Sequence, residues 1–195
     1  MKHNVFPDDY VNPRGIPRVS YIADMPLYVK NGGGVDTVVS NLVLESSKYE
    51  HAEKRLVSCI ANLDYKIPNI KKTLKALHFL QKRMKESEAT GDEGAGVRSY
   101  YCLTESVFGE AIVKPQKTVH LWLGANVIIE YTIEEAVALL EKNLANAEVN
   151  MNNTKEDFDW IREQITNLQI NISRVYNYDL AKKREGGATD DAAAE

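Results

Sequence analysis

Thr132–Arg184 reads TIEEAVALLEKNLANAEVNMNNTKEDFDWIREQITNLQINISRVYNYDLAKKR. Its seam positions are Ile133, Val137, Leu140, Leu144, Ala147, Met151, Thr154, Phe158, Ile161, Ile165, Leu168, Ile172 and Val175, stepping alternately by four and three residues over six heptads. A helix lying alone on a globular core follows a period of about 3.6 residues and drifts off a seven-residue repeat within a few turns. A repeat held this long calls for a partner helix.

The same chain supplies one. Leu42, Tyr49, Leu56, Leu63, Ile70, Leu77 and Met84 are spaced by sevens, and Ile60, Ile67 and Leu74 fill the second seam position through the middle. Laid antiparallel with Met84 opposite Ile133, the two series bring Leu77 to Leu140, Ile70 to Ala147, Leu56 to Ile161, Tyr49 to Leu168 and Leu42 to Val175. Helices of about 50 residues reach roughly 75 Å at about 1.5 Å per residue, so the expected product is a long two-helix arm.

The 195 residues are 44% hydrophobic and carry a net charge of −4. That balance argues against a general nucleic-acid binder, which rests on a basic face displacing counterions from phosphates. No apolar run is long enough for a signal peptide or a membrane helix, so a cytoplasmic protein away from membranes is expected. Cys59 and Cys102 lack metal-ligand spacing and read as reduced packing cysteines. His3, His51, His78 and His120 are scattered, with no paired motif and no nucleophile elbow nearby. No catalytic residue, metal site or cofactor is expected, and Glu156, Asp157, Asp159 and Glu163 read as a solvated face flanking the seam.

Residues 1–34 hold four of the six prolines and a Gly32-Gly33-Gly34 tract, and read as a flexible N-terminal arm. Within it, Arg14-Gly15-Ile16-Pro17 and the run at Tyr21-Ile22 offer docking elements, with a loose tail as the equal alternative. Helix one is expected over 35–86, starting near Asp36 or Thr37. The seven-residue step continues across Pro68, which favours one helix over two. Residues 87–97 form a Gly-rich connector that lacks the Lys-Ser/Thr of a phosphate loop. From 98 to 131 the period changes to two, giving four short strands and two hairpins, and helix two follows over 132–184, opened by a Thr132/Glu135 capping box. Residues 185–195 read as a disordered tail. The fold class is therefore α+β, with two β-hairpins inserted between the helices of an antiparallel coiled coil.

Both hairpin faces are apolar, at Val107, Val113, Val119, Leu121, Trp122, Leu123, Val127, Ile129 and Tyr131. Two hairpins are marginal alone and leave open edges, so these residues are expected to form an assembly platform, contributing to a barrel shared with other subunits.

The run Leu121-Trp122-Leu123-Gly124-Ala125-Asn126-Val127, followed by Glu130-Tyr131 and Glu134-Glu135-Ala136, resembles the alpha-type prefoldin subunits, and within them the eukaryotic subunit 3 group. Arg14-Gly15-Ile16-Pro17, Ile67-Pro68, Leu139-Leu140-Glu141-Lys142-Asn143-Leu144 and Arg174-Val175-Tyr176-Asn177 extend the likeness from Gly15 to Lys183. Tyr178, before Asp179, stands where that pattern usually has Trp. The resemblance implies one of two alpha-type subunits in a six-subunit, ATP-independent chaperone. Its five partners would be one further alpha-type and four beta-type subunits, and it would pass unfolded actin and tubulin to the cytosolic chaperonin.

At the far end of the arm the second seam series turns polar at Ser46 and Glu53, while apolar residues exceed the needs of a two-helix seam. That end is expected to be loosely paired, with Val35, Val38, Val39, Leu42, Val43, Val175, Tyr176, Tyr178 and Leu180 as candidate client-binding residues. Closure of the coiled coil, or contact with a neighbouring arm, is the competing use of the same side chains. A coiled-coil tether or adaptor in another hetero-oligomer is the alternative to a chaperone subunit.

Overall fold

The computed structural model describes residues 6–7, 9–90, 96–114 and 116–191. Its elements are α1 (Met25–Asn31), α2 (Val35–Thr90), β1 (Val97–Thr104), β2 (Val107–Val113), β3 (Thr118–Gly124), β4 (Val127–Thr132) and α3 (Ile133–Asp191). Contacts divide the chain into one unit of Met1–Asn62 with Met151–Glu195 and a second of Leu63–Asn150. The expected helix–hairpins–helix plan is present. Residues 91–95 of the connector lie outside the described residues, as do His3 and 192–195.

In the first unit, Leu42, Tyr49, Ile161, Leu168 and Val175 are buried in one cluster with Val38 and Ile165, and Leu56 and Ile172 pack against it. These are both members of the expected 42/175, 49/168 and 56/161 pairs. Glu53 and Arg162 flank the seam at 3.8 Å, within two residues of the expected offset. In the second unit Leu74, Leu77, Ile133 and Ala136 are buried, and Lys71 meets Glu148 at 2.8 Å, again within two residues of the expected offset. Helix α2 continues through Pro68. Pro68 and Asp64, the residue four before it whose carbonyl loses its donor, both lie at exposed positions of the helix.

Three boundaries differ from expectation. Helix α2 extends to Thr90 and α3 to Asp191, beyond Glu86 and Arg184. Residues 9–34 of the stretch expected as a flexible arm are ordered and contain a helix. Asp24 caps it by accepting from the Leu27 amide at 3.0 Å, and Pro26 sits in the first turn, where its missing N–H costs nothing. Met25 and Val29 are buried in the first-unit core. The glycine tract is the tight turn between α1 and α2 rather than a linker: the Gly32 amide donates to Tyr28 O at 2.9 Å and the Gly34 amide to Val29 O at 3.0 Å.

The hairpins are two separate two-stranded antiparallel sheets. β1 pairs with β2 through the Glu105-Ser106 turn, with an irregularity between Cys102 and Thr104. β3 pairs with β4 with Leu121 opposite Ile129 and Trp122 opposite Ile128. Ala125 and Asn126 turn the second hairpin with φ of 49° and 59°, the left-handed pair that matches strand twist. The expected capping box forms at α3: the Glu135 amide donates to Thr132 Oγ1 at 3.3 Å, and the Thr132 amide donates to Glu135 Oε2 at 3.2 Å.

A Cβ at Gly32 would lie 2.3 Å from Val38 Cγ2, inside the packed core. Gly32→Ala is therefore expected to destabilise by about 1–3 kcal/mol through overpacking, read as a lower urea midpoint at unchanged m-value.

Candidate functional site

Two surfaces stand out, one in each unit. The first is the pair of hairpins. Of the residues expected to build the platform, Val107, Val113, Trp122, Leu123, Val127 and Ile129 are exposed, Trp122 at 70%. Val119, Leu121 and Tyr131 are half-buried. The same surface includes Tyr100, Tyr101, Leu103, Phe108, Ile112 and Ile128, all exposed. Their strand alternation was visible in the sequence as apolar character on both faces. Each strand pairs on one side only, so every strand presents a free edge among the described residues. Isolated ribbons with two apolar faces and free edges are poorly stable in water and suited to pairing with other chains.

The second surface is the α3 face around Trp160. Glu156, Asp157 and Glu163 do not form the solvated stripe expected of them; Asp157 and Glu163 are buried. The cause is the N-terminal segment 6–24, whose described residues 6–7 and 9–24 lie along this face as a strap. Phe6 meets the Trp160 ring edge-on at 5.2 Å between centroids, and Tyr10 packs on it at 5.1 Å. Asn12 Nδ2 donates to Asp157 Oδ1 at 2.7 Å, while the Asn12 side-chain oxygen accepts from the Arg14 amide at 2.8 Å. Gly15, at φ 76°, closes a turn with its amide on Asn12 O at 3.1 Å. That turn aims Arg14 at two carboxylates, with Nε 2.6 Å from Asp157 Oδ2 and Nη2 2.7 Å from Glu156 Oε2.

Beyond Arg14, the helix reads the strap's main chain. Trp160 Nε1 donates to Ile16 O at 3.3 Å, Gln164 Oε1 accepts from the Val19 amide at 2.9 Å, and Asn171 accepts from the Ile22 amide at 3.3 Å while donating to Ser20 O at 3.0 Å. Arg174 donates to Ile22 O and stacks over Tyr21 at 4.1 Å. From α2, the Tyr49 hydroxyl donates to Pro17 O at 3.1 Å.

The electrostatics follow the geometry. Hydrogen bonds from Arg14, and then from Tyr10, hold the Glu156 carboxyl below its ordinary value. The Tyr10 hydroxyl, donating to Glu156 at 2.7 Å, is raised by that bond, and the Arg14 guanidinium is raised chiefly by its bond to Glu156. Arg14 and Glu156 are substantially solvated, so water screens their ion pair and it adds little to stability. The aromatic packing on fully buried Trp160 carries more, and Arg14 chiefly sets the strap's register.

The strap and α1 change the reading of the arm's end. Val38, Leu42 and Val175 are buried, and Val35, Val39 and Tyr178 pack against the same core. Val43, Tyr176 and Leu180 alone of the nine candidates are exposed. The expected loose end is corrected on this point: Met25, Val29, Ile16, Val19 and Ile22 supply a third layer that covers the surplus apolar surface. Among the described residues, no group of three or more His, Cys, Asp or Glu could hold a metal ion, and no helix is long and apolar enough to cross a membrane.

Comparison with known proteins gives a consistent match. The profile of the Prefoldin family, described as Prefoldin subunit, matches residues 49–178. Prefoldin subunit 3 of Mus musculus is 35% identical over 181 residues, covering 92% of this chain and 89% of the relative. Probable prefoldin subunit 3 of Schizosaccharomyces pombe is 36% identical over 174 residues, covering 89% and 96%. Among solved structures, a chain of filamentous PFD from Methanocaldococcus jannaschii aligns at 19% identity with a TM-score of 0.48, over 65% of this chain and 97% of that one.

Trp160→Ala should cost about 3–5 kcal/mol and free the strap, read as lost amide-exchange protection over residues 9–23. Because Glu156 is held below its unfolded value, its contribution to strap docking is complete at neutral pH. It should fade as pH falls through that lowered range, detectable as rising strap exchange after correction for the intrinsic rate. Trp122→Ser with Ile128→Ser, both at exposed positions, should change stability by under about 0.5 kcal/mol yet abolish association with partner chains in sedimentation.

Proposed function

Because this chain belongs to the prefoldin subunit family, we propose that it serves as the alpha-type subunit 3 of a six-subunit, ATP-independent holdase in the cytoplasm. One further alpha-type subunit and four beta-type subunits complete the particle. It holds unfolded chains, actin and tubulin among them, and passes them to the cytosolic chaperonin. No cofactor and no catalytic step enter this reading.

The observation that carries it is the pair of hairpins, whose free edges and two apolar faces require other chains to cover them. Closing such edges into a shared barrel removes the aggregation hazard and gathers several arms around one space. Weak contacts to one unfolded chain are then multiplied by effective concentration. On this subunit the exposed candidates for such contacts are Val43, Tyr176 and Leu180.

A second reading, a tether or adaptor that assembles in the same way but holds no unfolded chain, is favoured by one observation: Val38, Leu42 and Val175 are buried rather than offered to a client. Native mass spectrometry of the complex purified from its own cells tests assembly. Six different subunits of similar small mass are expected, and a homodimer would overturn the proposal. Aggregation assays with the assembled particle separate the two readings. Combined Val43→Ser, Tyr176→Ser and Leu180→Ser should reduce holding several-fold at unchanged particle mass, whereas a tether would suppress no aggregation before or after the change.

A further inference from the structure

We propose that the α3 face under the strap is a binding groove for an extended polypeptide, and that residues 6–24 are its resident occupant, displaced when an unfolded chain is captured. The inference deepens the chaperone reading and rests on it.

The first argument is what the groove recognises. Trp160, Gln164, Asn171, Arg174 and Tyr49 bond to amides and carbonyls of Ile16, Pro17, Val19, Ser20 and Ile22. Main-chain groups are common to every polypeptide, so these contacts accept an extended segment with little regard to its sequence. Side chains that only pinned one particular strap would have no need to read its backbone so widely. Gln164 and Asn171 are fully buried, with their amide groups committed to the strap and, for Gln164 Nε2, to Trp160 O at 3.3 Å. Such groups are costly to leave without partners, so when the strap leaves, another chain must take its place.

The second argument is charge and shape at the groove's two ends. Glu156, Asp157 and Glu163 gather at the end that receives Arg14 and Arg18, and Trp160 offers its ring to Phe6 and Tyr10. The favoured ligand is therefore an extended segment with a basic residue opposite Glu156 and Asp157 and an aromatic one over Trp160. Beside the strap, an open groove of about 830 Å³ is lined by Ile16, Pro17, Leu44, Tyr49, Leu56 and Ile161, and leaves room for an incoming side chain before the strap departs.

The third argument is energetic. Arg14, the strap's charged anchor, is partly solvated and shares its charge with half-exposed Glu156. Being tethered, the strap competes at high local concentration, which weakens every free ligand by the fraction of time the groove is covered.

The test uses the assembled complex in three forms: unaltered; lacking residues 1–24 of this chain; and carrying Arg14→Cys with Glu156→Cys, compared before and after bridging by a short bismaleimide. For the bridging experiment Cys59, Cys102 and the exposed cysteines of the partner subunits are replaced by serine. The probes are a fluorescent peptide of residues 6–24 and reduced, carboxymethylated α-lactalbumin as a permanently unfolded chain. The peptide should bind the strap-deleted complex roughly tenfold or more tightly than the unaltered one, and unfolded α-lactalbumin should displace it. Bridging, which removes no residue and so avoids any folding defect of the deletion, should lower holding of α-lactalbumin several-fold. Holding that ignores the bridge, or bound peptide that α-lactalbumin fails to displace, overturns the groove's role while leaving the chaperone reading intact. Failure of the unaltered complex to hold any unfolded chain overturns the chaperone reading itself, and peptide binding then marks a purely structural strap.

Discussion

In the unit formed by the two chain ends, α3 is covered on two sides at once. One stripe, Ile161, Ile165, Leu168 and Val175, meets α2; a second, Trp160, Gln164 and Asn171, meets the strap. A two-helix seam buries only a narrow stripe, and residues beside it normally stay wet. Trp160 and Leu168 are both fully buried, which no pair of helices achieves without a third layer. Strap, α1 and the packed Gly32 turn exist in their observed form because that third layer is needed.

The hairpins show the opposite condition. Their apolar residues lie on ribbons two strands wide, with no layer over either face among the described residues. The first unit thus covers its surplus apolar surface internally, and the hairpins of the second leave theirs uncovered among the described residues. In a family of assembling subunits, apolar surface left uncovered is where partner chains can pack.

Much of the fold was legible because it depends on spacing. The steps of four and three in Ile133–Val175 and the sevens in Leu42–Met84 specify which residues face the seam; the observed cluster holds both members of the expected pairs, and the ion pairs fall within two residues of the implied offset. The Thr132/Glu135 box and the change to period two are equally local. Signals for the missed parts were present but weak: Asp24 before Met25-Pro26 is a helix start, and the crowding of acids from Glu156 to Glu163 matched Arg14 and Arg18 in charge.

By itself, then, the sequence determined the two helices, their antiparallel pairing, the hairpins and the apolar surplus at the arm's end, since periodicity and capping act over a few residues. Only the tertiary structure decided where that surplus goes. Residues 6–24 carry no period, and their attachment depends on main-chain groups meeting Gln164 and Asn171 from about 150 positions away. Backbone amides and carbonyls are nearly the same in every residue, so these bonds leave no pattern of side chains along the strap, and only the charges of Arg14 and Arg18 point to the acidic face.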